Sequence, residues 1–265
     1  MHFQHVRPYS IVFVPTLSGR RALVTGADQG IGRAIARGLA GQGAEVVIHH
    51  LGNAAGASDV VAGAEVVEAD FTREGAVNVL AETVLAKPVD ILIANAAIER
   101  RGPWDQIDDA AVQDHLAANF TSLLTLCQRL VPPMAARGWG RVVALSSIMA
   151  ARPRSETLLY AALKSAQLTA IRAIARDVAG QGVTLNTIAP GAIETERTAA
   201  RYADAAFRAA VEAKIPARRP GTPADCVAPV LMLCGDGGSY ITGAEIPVDG
   251  GWSIGDAPGA LPGDG

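Results

Sequence analysis

The chain has 265 residues, a net charge of −3 and a nearly half hydrophobic composition, which gives no electrostatic case for nucleic acid or for an anionic membrane. No apolar run reaches the roughly 18 residues that span a bilayer. Cys127, Cys226 and Cys234 are odd in number and lack metal-ligand spacing, so they read as reduced core residues of a cytoplasmic protein, and no metal is expected.

The first apolar patch, Ile11 to Val14, is too short and poorly flanked for a signal peptide, so residues 1–18 are expected to be a loose extension. Arg21-Ala22-Leu23-Val24-Thr25 then reads as a buried strand at 21–25. Gly26-Ala27-Asp28-Gln29-Gly30-Ile31-Gly32 follows, and an Ala-rich helical stretch runs from Arg33 to Ala40. A strand, a glycine turn and a helix N-terminus in this order suit a pyrophosphate, because free N–H groups and the positive end of the helix dipole converge there. Further strands are predicted at 45–49, 65–68, 90–94, 141–146, 183–188 and 244–248, each short, apolar and flanked by polar or Gly residues. Residues 51–63 are rich in Gly, Ala and Asn, which leaves a helix of only a turn or two. The two long helices are predicted at 108–137, broken by Pro132-Pro133, and at 159–180. The alternation implies one α/β domain over 19–252 with a tail at 253–265. Its expected architecture is a doubly wound, Rossmann-type, seven-stranded parallel sheet with helices on both faces. Crossovers are right-handed, and the ligand crevice lies at the strands' carboxyl ends.

Tyr160 and Lys164 stand four residues apart, which puts phenol and ammonium on one helix face. A free phenol holds its proton to a pKa of roughly 10, so it serves as a base at neutral pH only if a nearby positive charge favours the phenolate. Thirteen residues earlier, Arg141-Val142-Val143-Ala144-Leu145 runs into Ser146-Ser147. Of these two hydroxyls, Ser147 is taken as the donor that polarises a substrate oxygen.

These motifs together resemble the short-chain dehydrogenase/reductase family over residues 19–252. The family's T-G-x-x-x-G-x-G is met by Thr25, Gly26, Gly30 and Gly32, its Y-x-x-x-K by Tyr160 and Lys164, its catalytic Ser by Ser147 and its helix Asn by Asn119. Its N-A-G appears as Asn95-Ala96-Ala97, a departure that puts a methyl where Gly lets backbone pass close to the cofactor. Asp70-Phe71, Pro190-Gly191 and Val248-Asp249-Gly250-Gly251-Trp252 agree further. The resemblance implies reversible hydride transfer between a nicotinamide and a carbinol or carbonyl carbon. Tyr160 is then the acid/base, and Ser147 holds the substrate oxygen. Lys164 favours the tyrosinate and binds the nicotinamide ribose, while Asn119 holds a water in the proton relay. Cofactor contacts are expected from Thr25, Gly26, Gln29, Gly30, Ile31, Gly32, His49, His50, Asp70, Phe71, Asn95, Ala96, Ala97, Tyr160, Lys164, Pro190, Gly191, Ile193 and Thr195. A homotetramer is implied by the helices carrying Asn119 and Tyr160, the second of which is apolar or small around most of its circumference.

NAD specificity usually rests on a carboxylate at the end of strand two, which binds the ribose 2′-OH and repels a 2′-phosphate. Here that strand ends in His49-His50-Leu51-Gly52-Asn53, with no acid. The cofactor is therefore NADP or NAD, with a lean to NADP because nothing repels the phosphate and Arg33 lies near. The segments expected around the substrate, Ile98-Glu99-Arg100, 148–159 and 194–215, are rich in charged and hydroxylic residues such as Arg152, Arg154, Ser155 and Glu156. They suit a sugar, polyol or hydroxy acid. The alternatives are a 3-ketoacyl thioester reductase and, in another class, a non-catalytic cofactor-binding regulator.

Overall fold

A computed structural model describes residues 17–255. The expectations for the first sixteen residues and for the tail from 256 onward fall outside them. In chain order the elements are β1 (Arg21–Val24), α1 (Gly30–Gly41), β2 (Glu45–His50), α2 (Ala54–Ser58), β3 (Glu65–Glu68), α3 (Ala76–Val84), β4 (Ile91–Ala94) and α4 (Asp109–Leu116). They continue with α5 (Ser122–Ala136), β5 (Gly140–Leu145), α6 (Leu158–Val178), β6 (Val183–Pro190), α7 (Ala199–Tyr202), α8 (Ala205–Glu212), α9 (Val227–Cys234) and β7 (Glu245–Val248).

The central strands are buried along their whole length. Strands covered by helices on both faces need apolar side chains on both faces, which is why their sequences run as continuous apolar stretches without alternation. Leu23, Val47, Leu92 and Val142 pack on one face with Leu80, Leu126, Leu130 and Ile171 of α3, α5 and α6. Val24, Ile48, Ile93 and Val143 pack on the other with Ile35, Leu39, Val230 and Leu233 of α1 and α9. The strand order is β3-β2-β1-β4-β5-β6-β7 and every neighbouring pair is parallel. The chain thus winds outward from β1 to β3 and returns to β4. This switch point opens a crevice between the β1 and β4 carboxyl ends.

All seven predicted strands are present, with ends within two residues of expectation, and α2 has the expected short length of five residues. Pro132-Pro133 do not break the first of the two long helices, which corrects the sequence reading. α5 runs through both to Ala136. The carbonyls left without donors are those four residues earlier, on Gln128 and Arg129, and both residues are exposed, so water can satisfy them. The buried Leu130, Val131 and Met134 hold the helix to the core. Between α4 and α5, Ala117–Thr121 form a π-helical turn that contains Asn119. Such single-turn π-bulges are frequent at functional sites.

Candidate active site

A cavity of about 520 Å³ lies over the carboxyl ends of the strands, within the size range of ligand pockets. One end is built by the β1–α1 loop. Gly26 and Gly30 hold φ of 59° and 56°, a left-handed conformation that glycine adopts without steric cost. A Cβ on Gly32 would stand 2.3 Å from the Gly26 carbonyl oxygen, so this turn closes only on glycine. α1 has no acid in its first turn, and Gln29 at its N-cap makes no side-chain cap bond. Its free donors are therefore available to an anion. In this structure a carboxylate of the chain itself takes one of them: Gly30 N–H donates to Glu196 Oε2 at 3.1 Å, and Arg33 pairs with the same carboxylate at 3.5 Å. The cradle thus fits the pyrophosphate of a dinucleotide.

The other end brings together Ser147, Tyr160 and Lys164. Strand β5 delivers Ser147 and one face of α6 carries the other two. Lys164 is 1 % exposed. Its Nζ donates to the Leu145 carbonyl at 2.5 Å and to Gln167 Oε1 at 3.2 Å, and it stands 5.4 Å from the Tyr160 ring centroid. Burial pulls the Lys164 pKa down to about 7. Burial, then Glu99, push the Tyr160 phenol up to about 12, while the Ser147 hydroxyl and Arg197 pull it the other way. Burial therefore works against the charged form of both groups, the phenolate of Tyr160 and the ammonium of Lys164.

Asn119 is fully buried and stands outside the cavity lining. Its Oδ1 accepts from Ile98 N–H at 2.8 Å and its Nδ2 donates to the Ile98 carbonyl at 2.9 Å, which ties its side chain to the backbone after β4. Its own carbonyl accepts from Gln167 Nε2. Gln167, not singled out in the sequence, therefore links Lys164 to the Asn119 backbone directly.

Of the expected cofactor contacts, Gly26, Gln29, Gly30, Ile31, His49, Asp70, Phe71, Asn95, Ala96, Ala97, Pro190, Gly191, Ile193 and Thr195 line the cavity. Thr25, Gly32 and His50 do not line it. The Thr25 hydroxyl accepts from Asn95 and Ala96 N–H at 2.9 and 3.0 Å and braces the loop from behind. His50 is buried, and its Nδ1 has no partner. His49 lines the cavity, but both its ring nitrogens are bonded within the chain. Its Nδ1 accepts from Gly26 N–H at 3.0 Å, its Nε2 bonds the Ala69 carbonyl at 3.0 Å, and its ring stacks on Phe71 at 4.3 Å. Burial holds its pKa down at about 4. A neutral ring spent at both nitrogens is a brace. Arg33 points away from strand β2, toward Glu196 and the Asp28 carbonyl.

Asp28, Leu51, Arg101 and Trp252, not assigned to the site from the sequence, also line the cavity. Of the charges in the expected substrate segments, Glu99, Arg154, Arg197 and Arg201 reach the lining. Arg100 is drawn off to Asp114 and Arg152 to the Trp252 carbonyl.

The family model described as enoyl-(acyl carrier protein) reductase matches residues 26–253. The chain belongs to the short-chain dehydrogenase/reductase family and is an NAD(P)-dependent oxidoreductase. It is 35% identical over 243 residues to the 3-oxoacyl-[acyl-carrier-protein] reductase MabA of Mycobacterium avium, covering 91% of this chain and 92% of the relative. It is 33% identical over 246 residues to a 2-dehydro-3-deoxy-D-gluconate 5-dehydrogenase of Pseudoalteromonas atlantica, covering 89% and 97%. Among solved structures, a 3-oxoacyl (acyl-carrier-protein) reductase of Agrobacterium tumefaciens with NADP bound superposes with a TM-score of 0.86 at 37% identity. That match covers 93% of this chain and 99% of the other.

Proposed function

We propose that the chain interconverts a secondary alcohol and a ketone on a polar small molecule that carries a carboxylate, a sugar acid or other hydroxy acid. The observation that carries this reading is the arginine-rich mouth beside Tyr160. Arg197 lines the cavity, is close enough to favour the Tyr160 phenolate, and makes no ion pair among the described residues. Arg201 also lines the cavity and stacks on Phe207 at 4.6 Å. A guanidinium offers paired donors to a carboxylate. The gluconate-type relative supports the same substrate class.

Hydride transfer to or from the carbinol carbon is the chemistry that bound NAD(P) supplies. Tyr160 gives its phenol proton to the substrate oxygen on reduction and recovers it on oxidation. Ser147 hydrogen-bonds that oxygen and fixes its position. Lys164 would bind the ribose of the cofactor, its Nζ held in place by the Leu145 carbonyl and Gln167 Oε1. The functional unit is residues 19–252, working in the cytoplasm as a homotetramer.

A second reading, reduction of a 3-ketoacyl thioester, is favoured by the strip of Tyr202, Phe207 and Val211 along the cavity wall and by the MabA relative. Steady-state kinetics on a panel of keto and hydroxy acids, uncharged polyols and a short ketoacyl thioester separates the two. Arg197→Gln is expected to lower kcat/KM for the carboxylate-bearing substrates by about tenfold or more, consistent with loss of a charge-assisted bond, and to leave uncharged polyols within about twofold. A thioester preferred over every hydroxy acid would favour the second reading. Cofactor binding without turnover on any member would favour a non-catalytic binder.

A further inference from the structure

We infer that Asp28 takes over the task that the end of β2 leaves vacant, reading the adenosine ribose and biasing the site against a 2′-phosphate. The inference rests on the reading that the crevice holds NAD(P). With the pyrophosphate at the α1 N-terminus and Tyr160 at one end, the adenosine half must lie over the loops that follow β1, β2 and β3. Asp28, Leu51, Asp70 and Phe71 line that end.

Asp28 is only 6 % exposed. Its Oδ2 accepts from Asn53 Nδ2 at 3.2 Å, which draws the carboxylate across to the loop where β2 ends. Among the described residues its side chain makes no other hydrogen bond or ion pair, and it does not cap α1, whose N-cap is Gln29. The remaining oxygen is thus available to a ribose hydroxyl. An acid at the end of the second strand accepts from the 2′-OH and repels a 2′-phosphate, and here the same charge arrives from the β1–α1 loop. Among the described residues no cation pairs with the Asp28 carboxylate. Arg33 donates to the Asp28 main-chain carbonyl and pairs with Glu196, and Leu51 occupies the position beyond β2. Asp70, the other acid at this end, is turned onto Thr72, whose amide and hydroxyl it accepts at 2.9 and 2.7 Å.

Asn53 has a structural duty that must be separated from this. Its Oδ1 caps α2 by accepting from Gly56 N–H at 3.1 Å, so Asp28 could matter only by orienting that cap. Fluorescence and calorimetric titration of the intact protein with NADH and NADPH separates the two roles without relying on turnover. Asp28→Asn and Asp28→Ser are each expected to strengthen NADPH relative to NADH by about tenfold or more, equivalent to about 1.4 kcal/mol. Asn53→Ala removes the cap and the tether but keeps the charge, and is expected to move the ratio less than either Asp28 variant. The same shift is expected for adenosine 2′,5′-bisphosphate against 5′-AMP. A ratio that stays put in both folded Asp28 variants, or that Asn53→Ala moves equally, overturns the role of Asp28 alone. Failure of the wild-type protein to bind either dinucleotide overturns the cofactor reading together with it.

Discussion

Lys164 is costly for the fold. Buried without a carboxylate partner, its pKa falls from 10.5 to about 7, so between those values the unfolded chain binds a proton that the folded chain does not. Stability is lost as pH falls from 10.5 toward 7, and the cost is complete below 7. Lys164→Met is therefore expected to abolish turnover while raising Tm at pH 7, at about 2–4 °C per kcal/mol for a domain of this size. The gain should shrink as pH approaches 10. Thermal melts of both proteins across that range check the sign; a variant less stable at pH 7, or a gain that grows with pH, contradicts it. The Tyr160 and Lys164 pair was legible in the sequence because a four-residue helical spacing fixes one face without reference to the rest of the chain. Gln167 was not, because its importance comes from a bond to Asn119, 48 residues away.

At the level of elements, the strands were readable because burial on both faces leaves a continuous apolar signature. The two prolines misled for a physical reason: the rule weighs the lost donor and the ring's clash with the preceding turn, and takes no account of packing such as that of Leu130, Val131 and Met134 against the core. The contact between the loop after β6 and the N-terminus of α1 joins residues 166 apart, which no local pattern could signal. Its consequence is testable. The Glu196 carboxylate holds the amide and the arginine that a pyrophosphate would use, so it must move before a dinucleotide seats. Glu196→Gln, which keeps the shape and drops the charge, is expected to tighten binding of both dinucleotides several-fold, as expected when a competing charge-assisted bond is weakened. Titration that finds unchanged or weaker binding would show that Glu196 does not compete.

The molecule as a whole presents helix surfaces with no partner inside the described chain. On α6, Leu158, Ala162, Thr169 and Ala173 are exposed. Leu158 and Ala162 line a groove together with Met149, Pro153, Ala161 and Ser165. Small side chains let helices approach closely across a two-fold axis, which supports the proposed tetramer. Light scattering at micromolar concentration is expected to give four times the 27.3 kDa of one chain, and a mass of one chain would rule the assembly out. Among the described residues no helix is long and apolar enough to cross a membrane. The substrate was the least legible property: loop charges face either water or a cavity according to how distant loops fold together, and only the folded chain separates Arg197 from Arg100.

The proton transfer assigned to Tyr160 is tested most directly by removing one oxygen atom. Tyr160→Phe keeps the ring against Lys164 and takes away the transferable proton. It is expected to bind the reduced dinucleotide as tightly as the parent protein and to turn over the best hydroxy acid about 100-fold or more slowly, within the range that general acid–base catalysis contributes. Near-native turnover by a correctly folded Tyr160→Phe protein would contradict the proposed chemistry.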